Sequence, residues 1–183
     1  MALTVKQRGQ HVATFRFVEV RLMEILSAWI PSTPEMEAKL LFGPHVWDCA
    51  QAADALGKRV HELRLPLQHS VPPAPAYVAL LEQLAAVQGA SRRVAALYDA
   101  VLPRLGERYR RYLMQTDALM DAPTVRVMER IVDAEARMLR EAMALREQIP
   151  ALRPDDAAAV KALIDADAAV GDLVVDDDQR QAA

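Results

Sequence analysis

Apolar side chains return at alternating intervals of four and three residues along most of this chain, the spacing of one face of an α-helix. A first helix is predicted from Val5 to Trp29, its stripe formed by His11, Phe15, Val18, Leu22, Ile25 and Trp29. Pro31-Ser-Thr-Pro34 ends it, and Thr33 before Pro34 suits the N-cap and first position of a second helix. That second helix is predicted to reach Leu63, with a kink at Pro44, where the proline removes one backbone bond. PLQHSVPPAP (66–75) reads as a proline-rich loop, followed by a short helix that ends at Gly89. Ser91 opens a third long helix to Gln115, with a bend near Pro103, and Asp121 opens a fourth to Gln148. Beyond Pro150 and Pro154, residues 155–169 can form one more helix with an apolar side of Val160, Leu163 and Ile164. The final DDDQRQAA is expected to be disordered. No period-2 pattern of useful length and no internal repeat interrupts this series.

Four amphipathic helices of about 25 residues, with a crossover between the second and third, describe a four-helix bundle. The expected fold is therefore all-α: a bundle over residues 1–150, a short extra helix in the crossover, and an acidic tail over 151–183. Composition agrees, since 52% of residues are hydrophobic and only 6 are glycine. Cys49 is the single cysteine, which excludes an intramolecular disulfide and suits a reducing compartment. The opening MALTVKQRGQHVATF has no uninterrupted apolar region of the kind a secretory signal needs. No apolar run is long enough to span a bilayer, so a soluble cytoplasmic protein without a membrane partner is expected. Net charge is −3, but residues 155–183 carry −6 and the rest +3. So mild a positive excess gives no reason to expect nucleic acid as a partner.

In a bundle the chemistry lies in the core, so the polar residues on apolar faces are the informative ones. On the fourth helix Glu135 falls within the stripe of Val125, Met128, Val132, Leu139 and Ala142. A carboxylate there costs several kcal/mol unless it is paired, protonated or bound to a metal. On the second helix His45 and Cys49 share a core face with Ala52, Leu56, Val60 and Leu63, and Asp48 and Glu37 lie at its edge. His45-x-x-Asp48 projects two possible metal ligands from one turn, although hydrogen-bonded packing explains a core histidine equally well. The first helix places Glu19 at its stripe edge. The third offers no core carboxylate, only Tyr98, Tyr109 and Tyr112 among aliphatic residues. Its Arg104, Arg108 and Arg111 form a basic stripe that reads as a solvated face. Trp47 falls with polar residues, so the tail or a second subunit is expected to cover it. Glycine-rich phosphate loops, Cys-x-x-Cys, His-Glu-x-x-His and Gly-x-Ser-x-Gly are all missing.

WIPSTPEMEAKLLFGPHVWDCAQAADAL with the ELR after it, and TDALMDAPTVRVMERIVDAEARM, resemble bacterial ferritin-like domain proteins, a likeness that covers residues 10–147. The resemblance implies a ferritin-like bundle, whose usual di-iron site takes one Glu from each of two helices and a Glu-x-x-His from each of the others. Glu19 matches the first-helix carboxylate and Glu135 the carboxylate of the fourth-helix motif. Met138 stands where that motif has histidine. The second helix reads Asp48-Cys-Ala-Gln51 in place of Glu-x-x-His, and Tyr98 and Tyr109 occupy a helix that would supply a carboxylate. This supply falls short of a complete di-iron centre. Two expectations follow. One is an oxidoreductase with an altered site, at most one divalent ion (iron, manganese or zinc) on Glu19, His45, Asp48 and Glu135, with Glu37 possible. In that reading a small organic substrate lies in a core pocket by Tyr98, Tyr109, Cys49 and Met138. The other is a metal-free binding or assembly module, with a homodimer as one form of it. In both, Glu135 faces inward within reach of His45, Glu19 or a tyrosine, and His45 is coupled to it across the bundle.

Overall fold

The computed structural model describes residues 3–153 and 157–175. Pro154, the acidic pair Asp155 and Asp156, and the terminal DDDQRQAA lie outside the described residues. All regular structure among the described residues is helical. The elements are α1 (Val5–Ser32), α2 (Met36–Glu62), α3 (Pro75–Ala85), α4 (Ala90–Ala95), α5 (Leu102–Gln115), α6 (Ala122–Gln148) and α7 (Ala157–Val170). A π-helical segment, Ala96–Val101, joins α4 to α5, so residues 90–115 form one long rod.

The helix ends show the local chemistry. Thr4 and Gln7 form a reciprocal capping box that starts α1. At its other end α1 continues through Pro31 to Ser32, although the proline supplies no N–H to the Ser27 carbonyl. Thr33 does not act as the N-cap of α2. Its hydroxyl is buried and donates to the Trp29 carbonyl at 2.7 Å, closing α1 instead, and Glu35 takes the cap position of α2. Gly89, not Ser91, precedes α4, at a positive φ of 86° that suits glycine. The Ser91 hydroxyl donates to the Arg153 carbonyl. α2 runs through Pro44 without interruption. The irregularity expected at Pro103 takes the form of the π-helical turn just before it. Proline supplies no N–H to the Asp99 carbonyl and its ring crowds that oxygen, and a widened turn relieves both.

α1 and α2 form the largest interface, and α6 packs against both α2 and α5. Their buried faces merge into one core that includes Phe15, Leu22, Leu56, Leu97, Leu105 and Met128. Because α6 meets two helices, its buried face centres on Thr124, Met128, Ile131, Glu135, Met138 and Ala142. Val125, Val132 and Leu139, expected at its centre, lie at the margin and are only partly buried.

α7 departs from the expected arrangement. It packs on α3 and the π segment, not on α2, and its Leu163 joins the core together with Leu173 just beyond it. The buried Asp167 accepts from Arg108 Nη1 at 2.8 and 2.9 Å. Arg108 also stacks over Tyr77 of α3, 5.2 Å from the ring centre. The arginine stripe of α5 is therefore in part a docking surface for α7. The Trp47 side chain is left 65% exposed, and the expected cover by the described part of the tail is not made. No helix among the described residues is long and apolar enough to cross a membrane.

The α5–α6 corner is held by Asp121, the N-cap residue of α6, whose side chain is fully buried. Its carboxylate accepts from Tyr112 Oη at 2.7 Å, Thr116 Oγ1 at 2.8 Å, Thr124 Oγ1 at 2.5 Å and Arg59 Nη2 at 3.1 Å. Burial alone would raise its pKa, but these donors outweigh burial and hold it below the usual carboxylate range. The stability it adds is complete above the unfolded value of about 3.9 and is lost as the pH falls through the lower folded value. Asp121→Ala removes the acceptor of three hydroxyls and leaves Arg59 only Thr124 and Glu62 as partners. It should cost about 3 kcal/mol in urea unfolding at pH 7. A loss under about 0.5 kcal/mol, the range of ordinary surface changes, would show that the corner does not depend on this residue.

Candidate functional site

Four helices bring side chains to one level of the core. α1 contributes Glu19, α2 contributes Asp48, Cys49 and Ala52, α5 contributes Leu102, and α6 contributes Ile131, Glu135 and Met138. These surround a cavity of about 190 Å³, with Gln51 and Arg130 exposed at its mouth.

Glu19 forms one side of its floor. Tyr109 of α5 donates to Glu19 Oε1 at 2.6 Å, and the Cys49 thiol interacts more weakly with the same carboxyl. Burial pushes the Glu19 pKa up to about 7, against the opposing pull of these two donors. Burial first, and the neighbouring Glu19 second, also push the Cys49 thiol up, so it stays protonated at neutral pH.

Glu135, the second carboxyl, is 4% exposed. Burial and then the charge of Glu19 raise its pKa well above the carboxylate range, while Arg110 works the other way. Its Oε1 has no hydrogen-bond partner. Its Oε2 sits against Gly106 of α5, where a Cβ would overlap it. Only glycine lets the α5 backbone lie this close to the acid.

His45 belongs to a different cluster. Its ring is fully buried, with Nδ1 2.6 Å from Tyr98 Oη and Nε2 2.8 Å from Glu141 Oε2. A carboxylate only accepts, so Nε2 carries the proton and donates to Glu141, and Nδ1 accepts from the Tyr98 hydroxyl. Burial lowers the His45 pKa more than Glu141 raises it, which keeps the ring neutral. Arg137 links Glu141, at 3.5 Å, to Asp48, at 2.6 Å. The expected contact between His45 and Glu135 is absent, because both ring nitrogens are already engaged. Asp48 lines the cavity but is paired with Arg137, Tyr98 points to His45, and Glu37 is exposed in the first turn of α2. The expected site thus divides in two: Glu19, Cys49, Tyr109, Glu135 and Met138 at the cavity, and His45 with Tyr98 beside it.

Residues 98 and 109 lie three turns apart and share a face in a regular α-helix. The π segment inserts extra backbone between them, so Tyr98 meets α2 and α6 while Tyr109 meets α1. Sequence reasoning also missed Gly106, Arg137 and Glu141. Gly106 could have been found as the smallest residue on an otherwise bulky buried face. Arg137 and Glu141 carry no such signal, because both are about half exposed and reach the cluster only with long side chains.

The donors do not fit a two-iron centre, which takes four carboxylates and two histidines. The cavity floor offers two carboxyls and a protonated thiol, and no three His, Cys, Asp or Glu side chains among the described residues are grouped to hold a metal ion. No protein-family model, curated protein or solved structure matches the chain.

Two pH-dependent outcomes follow. Glu19 holds its proton more tightly when folded, so the stability it contributes is complete below about pH 4.5 and is lost as the pH rises through about 7. Glu19→Gln keeps an acceptor for Tyr109 and should remove about 3 kcal/mol of the decline in urea stability between pH 4.5 and 8. A variant with the wild-type pH profile would refute this. His45 has the opposite sign: its contribution is present above pH 6.5 and is lost as the pH falls through its lower folded value. His45→Ala should cost about 1–3 kcal/mol at pH 8 and less at pH 5, measured the same way. An equal cost at both would show that protonation of the ring is not coupled to folding.

Proposed function

We propose that this chain is a ferritin-like four-helix bundle of the cytoplasm whose altered core site receives a small organic molecule. The observation that carries the reading is the cavity between α1, α2, α5 and α6, apolar on its walls and polar at one end, where Glu135 keeps a buried oxygen without a partner. Binding sites combine apolar walls with a few directed polar groups in this way. At about 190 Å³ the space suits a compound of fewer than about ten heavy atoms, given that a 150 Å³ cavity admits benzene.

The oxidoreductase form of the reading adds one divalent ion, iron, manganese or zinc, on Glu19 and Glu135. When bound, it would supply Lewis acidity. The chain's own residues would orient the ligand: Tyr109 holds Glu19, Gly106 lets Glu135 approach, and Met138 and Ile131 exclude water. A second reading, an assembly module or homodimer, is favoured by Met36, Leu40 and Trp47, which expose apolar surface along α2.

Fragments of fewer than about ten heavy atoms (amines, alcohols, carboxylic acids and arenes) can be tested by methyl NMR on Met138. At least one class should shift the Met138 methyl, and Ala55→Leu, which enlarges a lining residue on α2 so that it fills the cavity, should abolish the shift. No shift with any class would refute ligand binding. Elemental analysis of protein purified without added metal should find at most one equivalent per chain, and two irons would refute the altered-site reading.

A further inference from the structure

We infer that the core cavity selects an organic cation, a primary or secondary ammonium with a compact apolar body. The inference rests on the cavity being a ligand site and names the class of ligand it takes.

The balance of donors and acceptors carries the argument. At the inner end of the cavity the Cys49 thiol interacts with Glu19, and the Tyr109 hydroxyl, behind the lining, donates to Glu19. A ligand that brings only acceptors finds at this end just the one proton that burial keeps on Glu135, a proton that an ammonium group replaces with its own charge. Acceptor capacity is in excess: Glu135 Oε1 has no partner, Glu135 is 4% exposed, and Glu19 has a second oxygen beside the one Tyr109 engages. An ammonium group carries donors only, so it satisfies these oxygens and balances the charge they would otherwise bury. Of the cations at the cavity, Asp48 holds Arg137, and Arg130 is exposed at the mouth. Arg110 of α5 lies on the same side of Gly106 as the Glu135 carboxyl and attracts it without a hydrogen bond, which leaves Oε1 open. The walls formed by Ala52, Leu102, Ile131 and Met138 suit a hydrocarbon body but give a metal ion no ligand of its preferred kind. An organic cation fits both parts of the cavity, the acid floor and the apolar wall.

The test compares three probes of one shape, cyclohexylmethylamine, cyclohexylmethanol and cyclohexanecarboxylate, by isothermal titration calorimetry at pH 8. The amine should bind at least tenfold more tightly than the alcohol, and the carboxylate should not bind. Glu135→Gln, neutral and nearly isosteric, should weaken the amine at least tenfold and leave the alcohol within threefold. Ala55→Leu should block both, and circular dichroism of each variant verifies that it is folded. If the alcohol binds as tightly as the amine, or the carboxylate binds best, the cavity remains a ligand site but the cation inference is overturned. If none of the three binds, and Zn²⁺ titrated alone does and depends on Glu135, the site is a metal site and the inference again fails. If nothing binds, the ligand reading fails together with it.

Discussion

Tyr109 donates a 2.6 Å hydrogen bond to Glu19 across the middle of the molecule, from α5 to α1. Nearly everything particular about this protein depends on the constraint behind that bond: acids placed inside a helical core must be satisfied or stay protonated. The interior can supply only what neighbouring helices bring to the same level. For Glu19 the neighbours supply a phenol and a thiol, enough to hold the side chain in place but not enough to keep it ionised at low cost. For Glu135 they supply less, one close backbone at Gly106 and one oxygen left open. The cavity exists where these incompletely satisfied groups meet.

Asp121 shows the same constraint met in full. Four donors converge on a carboxylate no more exposed than Glu135, and its pKa falls where that of Glu135 rises. Both side chains are shielded from water, but Asp121 lies less deep and has four donors, and the two together decide the sign. A corner with matched donors and acceptors is closed, and a core level with surplus acceptors is left open to a donor. The Arg93 guanidinium repeats the structural case with reversed charge. It lies 2% exposed against Trp29, where it bonds the Thr33 hydroxyl at 2.7 Å and the Val87 carbonyl at 2.9 Å.

The π-helical segment connects the fold to the site. It offsets the two halves of the long rod, so that Tyr98 serves the His45 cluster and Tyr109 the cavity. On its outer side it provides part of the surface for α7, where the Asp167–Arg108 pair holds the helix near Tyr77. His45 is thereby built into the wall beside the cavity, through Glu141, Arg137 and Asp48, without facing the ligand space.

Sequence alone determined that the regular elements are helical and where the long stretches and the short helix between them lie, though not the π-helical turn that divides the third. It also identified the inward faces that carry Glu19, His45, Cys49, Tyr109 and Glu135, because helical periodicity and the cost of burying charge are local properties written at fixed spacing. What it could not determine was which inward residues meet. Thr33 closes α1 rather than opening α2, because its position in three dimensions puts the Trp29 carbonyl within reach. His45 pairs with Tyr98 and Glu141 rather than Glu135, because a π-helical turn shifts register and a half-exposed glutamate bends inward. The tail helix settles on α3 and the π-helical segment rather than over Trp47, because buried Asp167 finds its cation, Arg108 of α5, there. Each of these outcomes turns on distances between groups far apart in the chain, and only the packing of the helices sets those distances.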